Sequence, residues 1–200
     1  MRNILSLLCF TIVLISCKKQ TEIGLITEKA MVVSARVEAS EIGSSILKKG
    51  GNAYDAMVAT HFALAVVYPV AGNIGGGGFM VYRNNDGTKG ALDFREKAPI
   101  TAHKDMYLDS LGNVIKNKSV LGAHAVGIPG SVAGVFEVHQ KLGSLPFSDL
   151  VQPAIDLAKN GITITKKQAK DLNNAAERFR KVNNYHTIFD KEWKAGDTLI

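Results

Sequence analysis

Cysteine is nearly absent. The 200 residues contain two, Cys9 and Cys17, both near the start. Residues 18–200 therefore offer no disulfide, no free thiol and no cysteine ligand for zinc. The histidines (His61, His103, His124, His139 and His186) show no paired spacing such as His-Glu-x-x-His, so a metal site is not expected. The net charge is +6, yet no basic stripe interleaved with aromatics is present. Lys48-Lys49, Lys166-Lys167, and Arg178, Arg180 and Lys181 are dispersed and read as solvated helix faces, so nucleic acid is not expected as a partner. No apolar run reaches the roughly 20 residues a membrane-spanning helix needs. Internal repeats and low-complexity tracts are also missing.

What remains is globular material. The chain is 46% hydrophobic and 21% charged, a balance that can bury a core without disulfides. Its length suits one domain or part of a larger one.

The first residues read as an export signal. Met1-Arg2-Asn3 is a short, positively charged n-region, and residues 4–15 are an apolar run of h-region length. Leu14-Ile15-Ser16-Cys17 resembles the lipobox of bacterial lipoproteins, in which the cysteine takes a diacylglycerol before cleavage on its N-terminal side. The expected organisation is a signal peptide over 1–16, a lipidated tether over 17–30 and a folded part over 31–200. Lipidation at Cys17 implies an exported, membrane-anchored product facing the periplasm or the cell surface. Two acyl chains anchor stably where one is marginal.

Along the folded part, residues 31–34 (MVVS) read as a short strand. A helix is expected over 37–48, with Ile42, Ile46 and Leu47 at helical spacing and a left-handed cap at Gly50-Gly51. Asn52 caps a second helix to about Tyr68, where Pro69 stops it. That helix is apolar nearly all round, so burial on most faces is expected, within a layered fold covered on both sides. Residues 79–83 and 89–94 flank Asn84-Asn85-Asp86-Gly87, a hairpin signal. Residues 97–128 read as irregular, with a second turn over 109–113. Further helices are expected over 131–141, 148–159 and 165–181, and 196–200 reads as the start of a strand.

Four features invite a chemical reading. The glycine run 75–78 is not a phosphate loop, because Phe79-Met80 follows it where Lys then Ser/Thr would be required, and a helix precedes it. Four residues without Cβ instead permit close backbone approach, to a ligand or to a crossing segment. Ser131 fails as a nucleophile elbow, since Pro129 and Ala133 stand where glycines are needed. His61 lies on the apolar helix and reads as a satisfied core or boundary histidine. Asp93-Phe94-Arg95-Glu96 is the fourth feature. In a strand, Leu92 and Phe94 point one way, Asp93 and Arg95 the other. Arg95 is thus delivered to one face where the strand ends, either to clamp a carboxylate with its planar fork or to pair with a neighbouring acid.

Taken together, GGNAYDAMVATHFALAVVYPVAGNIGGGGFM (50–80), ALDFREKAP (91–99), GIPGSVAG (127–134) and VQPAIDLAKNGI (151–162) resemble the γ-glutamyltransferase (γ-glutamyl transpeptidase, glutathione hydrolase) family. The resemblance implies an α/β chain, part of the αββα four-layer sandwich of N-terminal nucleophile hydrolases. It implies a precursor that cleaves itself into a large and a small subunit, the new N-terminal threonine attacking γ-glutamyl amides with its own amine as base. The glutamyl group then passes to water, an amino acid or a peptide. No cofactor is implied. The implied partners are γ-glutamyl compounds such as glutathione, and the autoprocessed small subunit. Arg95 falls on the arginine that binds the substrate's α-carboxylate, and the glycine run becomes a structural crossing near the site. Because the family's chains are longer, residues 31–200 are expected to be the N-terminal part of a large subunit. The nucleophile would lie beyond Ile200, with Thr198 in no matching context. The chain alone is then expected to be inactive and poorly soluble, with sheet edges unpaired. Cephalosporin acylases and poly-γ-glutamate-processing enzymes share these blocks, and a non-catalytic glutamyl-peptide-binding lipoprotein is the reading from another class.

Overall fold

Helix α1 (Val37–Lys48) begins where Ser34 turns the chain. The Ser34 hydroxyl donates to the carbonyl of Arg36 at 2.8 Å and lies 2.8 Å from the Ser40 hydroxyl. The helix buries Ala39, Gly43 and Ile46, a stripe at i, i+4, i+7. Gly50, at φ +93°, supplies the expected left-handed cap, and Gly51 N–H donates back to the Ile46 carbonyl. This is a computed structural model, and it describes residues 24–183 and 185–200. The proposed signal peptide and Cys17 lie outside the described residues.

Helix α2 (Ala53–Val67) opens with a complete capping box. Asn52 Oδ1 accepts from the backbone N–H of Tyr54 and Asp55, and the Asp55 carboxylate accepts from Asn52 N–H. Of this helix only Ala53 is exposed, as an apolar surface all round requires. It packs against α1, α3 (Ser131–Leu142) and α4 (Phe147–Asn160). One core cluster joins Ile46, Val58, Ala59, Val135 and Leu150, and a second joins Ala39, Ala63, Val67 and Ile162. The α1–α2 crossing is close: a Cβ on Gly43 would stand 2.2 Å from Thr60 Oγ1.

Strands β1 (Phe79–Arg83) and β2 (Lys89–Asp93) form the expected antiparallel hairpin, with Phe79 opposite Asp93 and Arg83 opposite Lys89. Gly87 takes φ +87° in its turn. β3 (Ile162–Thr163) pairs antiparallel with β4 (Thr198–Leu199), and between them α5 (Lys166–Val182) starts from a second capping box, Thr165 with Gln168. A third cluster, Ile164, Ala169 and Trp193, seats α5.

One expectation changes. Residues 31–34 form no strand. Val32 and Ser34 are half-buried while Met31 and Val33 are exposed, so the side chains alternate as in a strand. A strand needs a ladder, and no neighbouring segment among the described residues supplies one. The cover over α2 comes from helices on several sides, and each sheet of the described residues has two strands. The stretch 97–128 is irregular as expected, apart from a short 3₁₀ turn at Ala123–Ala125. Contacts divide the chain after Met31; residues 24–31, described by themselves, are exposed and carry no helix or strand.

Candidate functional site

Arg95 sits where β2 gives way to loop. Asp93 Oδ1 accepts the Arg95 backbone N–H at 3.0 Å, a side-chain turn that ends the strand. Just before it, Phe94 N–H still donates to the Gly78 carbonyl at 3.0 Å. Just after it, Lys97 and Ile128 exchange two backbone hydrogen bonds, at 3.1 and 2.8 Å. Residues 94–97 are therefore held between the glycine run and the segment 127–130. Those two flanks are also tied to each other, because the Gly76 carbonyl accepts from the N–H groups of Gly130 and Ser131, at 2.8 and 3.0 Å.

The glycine run is a crossing. A Cβ on Gly77 would lie 2.4 Å from Glu96 N and 2.6 Å from the Arg95 Cα. No side chain fits there, so the run brings backbone against backbone directly behind Arg95. Spacing alone left this open between a ligand approach and a tight crossing, and the family resemblance implied the crossing.

The Arg95 side chain points outward, 66% exposed. Among the described residues its one ionic neighbour is Glu96, at 3.9 Å and itself 41% exposed. An exposed pair at that distance is worth little, so the guanidinium is not tied up in an internal ion pair. A cleft of about 250 Å³ adjoins it, lined by Asp93, Arg95, Lys97, Pro129, Gly130 and Glu137 among others. Acidic and basic groups both line it, as recognition of a zwitterionic group would require.

Elsewhere the site residues read differently. His61 is half-buried on α2, and among the described residues its Nε2 has no hydrogen-bond partner, contrary to the expectation of a satisfied histidine. Burial pushes its imidazole below the usual 6.5. Asp55, which sequence reasoning did not single out, is fully buried. Burial alone would raise its carboxyl, but hydrogen bonds from Ser144, Asn52 and Leu145 outweigh that and hold it below the ordinary 3.8. The signal for it was present, as an acid three residues after a helix-capping asparagine. Ser131 is buried at the start of α3, which agrees with its rejection as a nucleophile. Among the described residues no cluster of three His, Cys, Asp or Glu could hold a metal, and no helix is long and apolar enough to cross a membrane.

A family profile described as Gamma-glutamyltranspeptidase matches residues 39–200. The chain belongs to the gamma-glutamyltranspeptidase family. Within it, a glutathione hydrolase proenzyme from Pseudomonas sp. (strain A14) is 50% identical over 154 residues, 77% of this chain and 27% of that protein. Among solved structures, Helicobacter pylori gamma-glutamyltranspeptidase superposes with a TM-score of 0.82 at 46% identity, covering 88% of this chain and 52% of that one. The cephalosporin acylase of Bacillus halodurans superposes at 0.69 with 23% identity, covering 91% of this chain and 36% of that one, a likeness of fold alone. The gamma-glutamyltranspeptidase fold is that of the N-terminal nucleophile hydrolases, and this chain contributes a mixed α/β segment of five helices and two small sheets among its described residues. It spans about 27% of the Pseudomonas relative's length.

Proposed function

We propose that this chain carries the carboxylate clamp of a γ-glutamyltransferase, an enzyme that cleaves γ-glutamyl amides such as glutathione and passes the glutamyl group to water or to an amino acid or peptide. The observation that carries this reading is the Arg95 guanidinium. It is exposed at the edge of a cleft, free of any strong internal partner among the described residues, on a backbone held from both flanks. A planar fork so placed can grip both oxygens of an α-carboxylate at once. Two charge-assisted bonds fix the substrate's orientation as well as its affinity, leaving the γ-amide at a set distance for attack. In the full-length protein the attacking hydroxyl would come from the N-terminal threonine of an autoprocessed small subunit, its amine accepting the proton. The proenzyme names of the relatives support such processing.

We further propose that the product lies outside the cytoplasm. The lipobox-like Leu14-Ile15-Ser16-Cys17 supports cleavage before Cys17 and attachment by acyl chains, so the substrate would be extracytoplasmic glutathione or peptides.

Arg95→Lys in the full-length protein tests the clamp. The ammonium keeps the charge and loses the fork. KM for a γ-glutamyl anilide should rise by roughly 10-fold or more, from the loss of a charge-assisted hydrogen bond worth about 1.5–3 kcal/mol. An unchanged KM would refute the role.

A further inference from the structure

The ring of Phe94 lies in a slot from which side chains are missing. A Cβ on Gly78 would stand 2.8 Å from its Cε2 and 2.9 Å from its Cζ. A Cβ on Gly134 would stand 2.2 Å from its Cγ and 2.3 Å from its Cβ, and one on Gly130 would meet the Phe94 carbonyl oxygen at 1.9 Å. Carbon atoms in contact sit about 3.5–4.0 Å apart, so all three positions must lack a side chain. Gly130 and Gly134 flank the first turn of α3, and Gly134 lies inside that helix, where glycine is unfavourable relative to alanine.

That arrangement is more than core filling needs. Phe94 is only half-buried and belongs to none of the three core clusters. Its neighbour is Arg95, whose side chain leaves on the other face. On the far side of Arg95 the chain is pinned again, by the Lys97–Ile128 pair. The direction of the Arg95 Cα–Cβ bond is thus set by two anchors, one of them an aromatic ring held against Gly78 and Gly134. Locally unfavourable choices of this kind are expected where function, not stability, sets the geometry.

We propose that Phe94 is a positioning residue. Seated between Gly78 and Gly134, it aims the Arg95 fork at the substrate carboxylate without touching substrate. The proposal rests on the reading of Arg95 as the clamp. Gly78 does not occupy the left-handed region, so a methyl group there strains no backbone and acts only by pressing on the far edge of the ring. The ring has little room to yield, since its Cγ and Cβ already lie where a Cβ on Gly134 would stand 2.2 and 2.3 Å away.

The test is a two-residue cycle in the full-length protein, read as KM, kcat and Tm for Gly78→Ala, Phe94→Leu and the double variant. Leucine lacks the Cε and Cζ atoms that the new methyl meets. Each single variant should raise KM for a γ-glutamyl anilide by about 5-fold with kcat within about 2-fold, the pattern of lost binding orientation. The double variant should return KM to within about 2-fold of the parent, a non-additive result expected only of residues in contact. Where Gly78→Ala fails to fold, Phe94→Leu alone carries the readout. A lowered Tm with KM unchanged in the folded variants would make Phe94 merely structural and overturn the proposal, as would a double variant no better than Gly78→Ala. Arg95→Lys is measured alongside. If it raises KM while the Phe94 and Gly78 variants do not, positioning alone fails; if it leaves KM unchanged, the clamp fails and positioning with it.

Discussion

The Asp55 carboxylate accepts both the backbone N–H and the hydroxyl of Ser144, at 2.9 and 2.5 Å, from a position 89 residues earlier in the chain. It also accepts Asn52 N–H at 2.9 Å. One buried side chain thus caps α2 and fastens the loop between α3 and α4 onto its start. Asn52 doubles the tie by donating from Nδ2 to the Leu142 carbonyl.

Replacing Asp55 with alanine would strand these donors in a buried place. Each orphaned buried group costs about 1–3 kcal/mol, so Asp55→Ala should destabilise the chain by roughly 3 kcal/mol or more. Urea unfolding followed by circular dichroism measures this. A loss below about 1 kcal/mol would show that the loop finds other partners.

Stability should fall with acid in two stages. The His61 imidazole is depressed by burial, so the unfolded chain takes the proton first. Its contribution is fully present above the ordinary 6.5 and is lost progressively as pH falls from there through its depressed folded value. The Glu38 carboxyl is held below its usual 4.5 chiefly by the hydrogen bond from Arg36, and Asp55 lies below 3.8. Both contribute above those unfolded values and cease to as pH falls through their folded ones. The urea midpoint should be flat above pH 7, decline from about pH 6.5, and decline again below about pH 4.5. His61→Phe should abolish the first decline and leave the second.

Gln168 joins three helices. Its Oε1 accepts from Arg36 Nη1 at 2.7 Å and from Thr165 N–H at 3.1 Å, and its Nε2 donates to the Val67 carbonyl at 2.9 Å. Gln168→Ala should cost about 1–2 kcal/mol, the sum expected for a lost capping box and a half-buried link. Hydrogen exchange should quicken at the start of α5 first. Uniform exchange along the chain would argue against a local role.

The proposed membrane anchor has its own test. Cys17→Ser should abolish incorporation of labelled palmitate and move the protein from the detergent phase to the aqueous phase. Retention in the detergent phase without label would point to an uncleaved signal instead.

Much of this molecule was legible in its local chemistry. The caps at Asn52 and Gly50, the turn at Asp86-Gly87 and the apolar helix between Asn52 and Pro69 are each written within a few residues. The placing of Arg95 at a strand end followed from the alternation of four residues. What these short patterns could not state is which distant segment lies behind them. Residues 31–34 alternate like a strand and yet lack a ladder, because pairing is a property of two segments. The glycine run shows only that side chains are missing; that Phe94 and the Arg95 backbone fill the space is decided by folding. Short-range rules govern dihedral angles and caps, whereas steric exclusion between segments exists only once the chain has brought them together.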